Sequence, residues 1–195
     1  MTTESIRARK RELRAEVLAG RLALLGAGVG LNGATRHLPP LLAALRAALR
    51  ATGRQPVVAA YLPLADEPDP GSGEWAGVTV LLPLLQPDAS LRWAVAGGER
   101  PGPRGTREPT GAIQPGGLAV ADLVVVPALA ADVTGARLGR GGGSYDRALA
   151  QVRPGIAVVA LLADDAELRG DVPVAEHDRR VTAVATPTAV LGVRT

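Results

Sequence analysis

With 195 residues, 47% of them hydrophobic, the chain is long enough for one sizeable core and short for two. Cysteine is absent, which excludes disulfides, a thiol nucleophile and thiolate metal centres, and two histidines leave little for zinc. The formal net charge of +3 is a small bias toward anionic partners, while 2% aromatic residues with no phenylalanine argue against the stacking surfaces of nucleic-acid readers.

From the N-terminus, Glu4 to Leu25 places Ile6, Leu13, Val17 and Leu24 near helical spacing with charges between them, which predicts an amphipathic helix. Arg7, Lys10, Arg11, Arg14 and Arg21 lie on or beside its other face, either as a solvated basic stripe or as a site for an anion. The only lysine of the chain, Lys10, is on that stripe. A Gly-rich break at 26–33 precedes a second helix over Thr35–Ala51, with Pro39 and Pro40 in its first turn. Short apolar runs at Pro56–Leu62, Val78–Leu82, Leu91–Ala96, Leu123–Val126, Ile156–Leu162 and Val181–Ala185 read as buried strands, and Gly97–Gly117 reads as a long loop. Continuous apolarity implies strands covered on both faces. The expected fold class is therefore α/β, three-layer α/β/α with a mainly parallel open sheet, Rossmann-like.

No apolar run reaches the roughly 18 to 20 residues of a membrane span, and the first sixteen residues carry charges where a signal peptide would be apolar. The expectation is a single cytoplasmic domain over residues 1–195. Its partners are small molecules, with no nucleic acid and no membrane, and its default state is a monomer.

The segment Arg137–Arg147, RLGRGGGSYDR, follows a buried strand and opens a helical pattern. Gly139, Gly141, Gly142 and Gly143 allow positive φ and let amides approach an oxyanion, the helix from about Ser144 adds its positive N-terminus, and Arg137 and Arg140 offer fork geometry to phosphate. A glycine cluster is also compatible with a simple flexible turn, and neither GxxxxGK[ST] nor GxGxxG is matched. Asp146 fits magnesium ligation or compensation of the helix N-terminus. In the consecutive Glu176, His177 and Asp178, Asp178 is the better magnesium candidate, with His177 read as a structural hydrogen-bonding residue. Asp66, Glu67 and Asp69 form an acidic loop that is either solvated or an acceptor for heterocycle N–H groups.

Taken in order, the KxxxR of Lys10–Arg14, the loop Tyr61–Glu67, the dipeptide Glu108–Pro109, the stretch DLVVVPALAADVTGARLGRGGGSYDR and the late VPVAEHD resemble the 5-formyltetrahydrofolate cyclo-ligase family. The resemblance implies ATP as co-substrate, bound by Lys10, Arg14, Arg137, Leu138, Gly139, Arg140, Gly141, Gly142, Gly143, Ser144 and Tyr145. It implies a folate site lined by Leu62, Glu67, Arg140, Gly141, Gly142, Gly143 and Ser144, Mg2+ at Asp146 and Asp178, and catalytic roles for Arg140 and Asp146. The substrate implied is 5-formyltetrahydrofolate, with or without a polyglutamate tail, converted to 5,10-methenyltetrahydrofolate with release of ADP and phosphate. A nucleotide-binding relative that kept the phosphate loop and lost catalysis is the alternative. The sequence departs from the family pattern at Ser144, where tyrosine is usual, at Ala131, where phenylalanine is common, and at Pro70, where threonine often stands; aromatics lost at the first two positions are expected to weaken stacking near the pterin.

Overall fold

The computed structural model describes residues 2–72 and 75–193. Helix α1 runs Thr3–Gly26, its first turn capped by the Thr2 side chain, which accepts from the Ser5 amide at 3.2 Å. Helix α2, Leu38–Leu49, starts with proline in its first turn, where the missing N–H costs nothing, and is preceded by the 3-10 turn Gly33–His37. The strands are β1 (Val57–Ala59), β2 (Thr79–Leu85), β3 (Leu91–Val95), β4 (Glu99–Pro101), β5 (Arg107–Pro109), β6 (Leu123–Pro127), β7 (Ala130–Asp132), β8 (Arg137–Leu138), β9 (Ala157–Leu161), β10 (Leu168–Arg169), β11 (Ala183–Ala185) and β12 (Val190–Gly192). The third helix, α3, is Ser144–Leu149.

The main sheet has the order β12-β11-β9-β6-β1-β2-β3. Its five inner strands pair in parallel and both edge strands are antiparallel. All six strands expected from apolar runs are in it, so the mainly parallel sheet stands; β12 was not foreseen. Alternation decides which face each residue covers. Ala59, Val124, Val158, Ala160 and Val184 pack with Trp93, Leu118 and α3, while Val58, Leu123, Val125, Val159 and Ala185 pack with Leu38 and Leu42 of α2. Both faces are thus dry, which is why the strands lack a polar side.

One expectation about local structure is corrected, and two features were not foreseen. The stretch 97–117 is not a plain loop but contains the antiparallel hairpin β4–β5, in register Arg100↔Glu108, and a 3-10 turn at Gly117–Val120; its Pro and Gly content hides strands this short. The segment ADVTGARL forms a second hairpin, β7–β8, joined by β10 into a separate three-stranded sheet. Its turn is organised by the Asp132 carboxylate, which accepts from Thr134 N (2.8 Å), Ala136 N (3.1 Å) and Val172 N (3.1 Å). Helix α1 lies on this small sheet rather than on the main one, burying Leu13 and Val17 against Leu129, Ala136, Leu138 and Val172. No described helix is long and apolar enough to cross a membrane.

The chain winds from β1 outward through β2 to β3, returns to β6 and winds the other way through β9 to β11 and β12. Strands β1 and β6 therefore flank the point where the winding reverses, and a crevice opens at their carboxyl ends.

Leu42 is fully buried at the α2–sheet contact, so Leu42→Ala is expected to lower unfolding free energy by about 2–5 kcal/mol, read as a lower urea midpoint. At the amino ends of β1 and β6, burial pushes the Asp122 carboxyl up, but hydrogen bonds from Arg54 and the Val57 amide outweigh it and hold it below the usual carboxylate range. A depressed native pKa contributes stability that is complete above the unfolded value and lost as pH falls through the native one. The melting temperature of Asp122→Asn is therefore expected to lie below that of the parent chain at neutral pH and to converge with it below about pH 4.

Candidate active site

A cleft of about 990 Å³ occupies the crevice. One wall is the loop after β1, the opposite wall is the glycine segment between β8 and α3, the first turns of α1 form the roof, and the β4–β5 hairpin forms the outer lip.

The glycine segment is shaped by two positive φ values, +98° at Gly141 and +65° at Gly143, which an L side chain adopts only with strain. Gly141 also leaves room for Arg14, since a Cβ there would stand 3.3 Å from the guanidinium carbon. Arg14 donates from Nε to the Gly139 carbonyl at 2.8 Å, tying α1 to the loop. Burial lowers the pKa of Arg14, with the charge of Asp178 opposing the shift. Helix α3 has six residues and no side-chain cap. Its dipole is correspondingly small, so the anion-binding capacity of the segment rests on loop amides and guanidiniums more than on a helix end.

Lys10, Arg137 and Arg140, three of the cationic side chains lining this cleft, are paired with carboxylates. Lys10 of α1 pairs with Asp178, whose carboxyl burial pushes up but the Ala175 amide (2.6 Å) and Lys10 hold below the usual range. Arg137 donates to Asp146 Oδ1 at 2.8 Å and lies 5.8 Å over the Tyr145 ring. Asp146 Oδ1 also accepts the Arg179 amide at 3.1 Å. Arg140 spans the cleft to the acidic loop, donating from Nε to Glu67 Oε1 at 2.8 Å and from its other arm to Asp66. Desolvation would raise Asp66, but the Arg140 bond and charge leave it lowered. The second oxygen of Glu67, Oε2, accepts the Leu64 amide at 3.0 Å. Tyr61 fixes the base of the same loop by donating to the Pro68 carbonyl at 2.7 Å.

Every residue that the family resemblance assigned to the site lines the cleft: Lys10, Arg14, Leu62, Glu67, the run Arg137–Asp146 and Asp178; Asp66 and Asp69 of the acidic loop do not. Tyr145 sits deeper than the loop around it, packed against both main core clusters, with its hydroxyl pKa raised by burial and by Glu67. Three expectations are corrected. His177 makes no hydrogen bond among the described residues; it is exposed, 3.8 Å from Asp178. Ala131 is fully buried in β7 and Pro70 is buried beside the acidic loop, and neither lines the cleft, so only Ser144 of the three departures faces a ligand. Arg21 is not on a solvated or anion-binding stripe: it is 1% exposed and forks onto Glu167 at 2.6 and 2.8 Å while donating to the Asp66 and Ala128 carbonyls. Its position four residues after Val17, in line with Leu13 and Val17, was the available signal.

The chain has relatives among known sequences and structures. A family model described as the 5-formyltetrahydrofolate cyclo-ligase family matches residues 6–187. A 5-formyltetrahydrofolate cyclo-ligase of Mycolicibacterium smegmatis is 39% identical over 158 residues, covering 71% of this chain and 76% of the relative. Among solved structures, the 5,10-methenyltetrahydrofolate synthetase of Aquifex aeolicus superposes with a TM-score of 0.71 at 25% identity, covering 95% of this chain and 93% of that one. One from Mycoplasma pneumoniae, at 17% identity and a TM-score of 0.63 over 90% and 96% of the two chains, shares the fold. By sequence over most of its length and by architecture, the chain belongs to the 5-formyltetrahydrofolate cyclo-ligase family.

Proposed function

We propose that the protein catalyses the ATP-dependent cyclisation of 5-formyltetrahydrofolate to 5,10-methenyltetrahydrofolate, releasing ADP and phosphate. The observation that carries this reading is the Arg140 clasp: one guanidinium, held by Glu67 and Asp66, joins the glycine loop to the opposite wall, where a phosphoryl donor and its acceptor would meet. Lys10, Arg14 and Arg137 supply further positive charge on the triphosphate side. An incoming polyphosphate would replace Asp178 and Asp146 as the partner of Lys10 and Arg137, so the charges are already in position before the ligand arrives.

In the reaction, the formyl oxygen attacks the γ-phosphorus of ATP and ADP leaves, giving an iminium phosphate. The neighbouring N10 then attacks the formyl carbon, and loss of inorganic phosphate, which carries away the N10 proton, leaves the cyclic amidinium of the methenyl product. No protein nucleophile is required; the chain aligns the oxygen with the phosphorus and neutralises the charge passing between them.

The donor set also suits Mg2+. Asp146 Oδ2 and Asp178 Oδ1 are left without hydrogen bonds among the described residues, one oxygen for the ion on each aspartate. Those residues contain no cluster of three ligating side chains, in keeping with an ion that keeps waters and takes its remaining ligands from phosphate. When bound, magnesium would neutralise phosphate charge. Arg7 and Arg104 line the cleft without ion pairs among the described residues and suit the carboxylates of a glutamate or polyglutamate tail.

Mixing the protein with ATP, magnesium and 5-formyltetrahydrofolate is expected to raise the near-ultraviolet absorbance of the methenyl product. A flat trace from folded protein overturns the assignment, and ATP binding without turnover would mark a nucleotide-binding relative instead. Arg140→Ala and Asp146→Asn are each expected to lower kcat roughly 100-fold or more with the fold intact by circular dichroism. Lys10→Ala is expected to raise the KM for ATP about tenfold with little change in the KM for folate; the reverse pattern contradicts its place on the nucleotide side.

A further inference from the structure

The dipeptide Glu108–Pro109 has no part in the chemistry above, yet its glutamate is placed as a recognition group. Glu108 sits at the centre of β5 and is 7% exposed, and what exposure it keeps faces the cleft. Strand β5 packs on β2, whose Pro83 and Leu85 line the cleft together with Leu91 of β3. The carboxylate is therefore set at the edge of an apolar wall. Gly102 across the hairpin leaves room for it, since a Cβ there would lie 2.6 Å from the Glu108 side chain.

Its bonding is incomplete. Oε2 accepts from Arg100 at 3.3 Å, a long bond to a side chain that is mostly in solvent, and Oε1 accepts nothing among the described residues. Glu67 differs in this respect, with both of its oxygens engaged by Arg140 and the Leu64 amide. A buried carboxylate with an open oxygen favours a ligand that brings N–H donors and disfavours one that brings negative charge. The polyphosphate belongs with Lys10, Arg14 and Arg137, so the ligand part beside Glu108 is a neutral, flat group with a donor edge.

Resting on the cyclo-ligase reading, we propose that Glu108 binds the pterin of the folate by accepting hydrogen bonds from its 2-amino group and the adjacent ring N–H, with Pro83, Leu85 and Leu91 covering the ring. Adenine is the poorer fit, because its amino group adjoins a ring acceptor that would face the carboxylate oxygen. Glu67 then serves the reaction by holding Arg140, and the pterin is read from the hairpin side.

Titration calorimetry of the full-length protein with 5-formyltetrahydrofolate and, separately, with magnesium ATP tests this. Glu108→Gln, which keeps shape and replaces one acceptor by a donor, is expected to weaken folate binding about tenfold or more while ATP affinity changes less than about twofold. Arg100→Gln removes the hairpin ion pair without touching the cleft and is expected to leave both affinities unchanged. Unaltered folate affinity in Glu108→Gln, a loss falling on ATP instead, or an equal loss in Arg100→Gln each overturns the proposal. If the wild-type protein binds folate in a Glu108-dependent way yet forms no methenyl product, the cyclo-ligase reading fails and this assignment stands; if turnover is present and Glu108→Gln binds folate normally, only this assignment fails.

Discussion

The geometry of the cleft depends on one buried guanidinium. Arg21 leaves α1 on the same stripe as Leu13 and Val17, and its donors reach Glu167, the Asp66 carbonyl and the Ala128 carbonyl. Those three contacts join the helix that carries Lys10 and Arg14 to the acidic loop, to the end of β6 and to the turn before β10. Burying such a pair contributes little net stability against an apolar replacement, but removing either member strands a charge in the interior. Its consequence is positional: the roof of the cleft and its acidic-loop wall are held in register by a fork with fixed hydrogen-bond directions, which dispersion contacts alone do not impose.

A second layer of organisation is electrostatic. Lys10 with Asp178, Arg137 with Asp146, and Arg140 with Asp66 and Glu67 form ion pairs along the cleft. On the proposed function, such pairing would spare these side chains the search for a productive rotamer when a polyphosphate binds. On that reading it would also give the aspartates two consecutive tasks, partner to a cation and then ligand of magnesium.

The main sheet was legible because each inner strand is apolar on both faces and bounded by Gly, Pro or Asp. The glycine segment was legible as a loop opening a helix, because four glycines interrupt regular structure and a helical pattern follows them. The hairpins β4–β5 and β7–β8 were not legible, since strands of two or three residues carry no measurable period and these are built with Pro, Gly and Asp. Arg21 was misplaced because a helix stripe of arginines looks alike whether it meets water or a carboxylate from 146 positions away. Ala131 was assigned to the neighbourhood of the pterin because the family pattern has an aromatic there; the β7 pleat turns it into the core instead.

By itself the sequence determined the chemistry available to this protein. Without cysteine, and with one lysine and a glycine–arginine loop, it offers backbone amides and guanidiniums rather than a thiol nucleophile, and the order of its motifs places it in its family. Only the tertiary structure decided which charges face each other, that Glu67 is saturated while Glu108 keeps an open oxygen, and that Ser144 alone among the unusual residues reaches the cleft. The physical reason is that residue identity sets what a group can donate or accept, whereas whether it remains available depends on partners that the chain brings from distant positions when it folds.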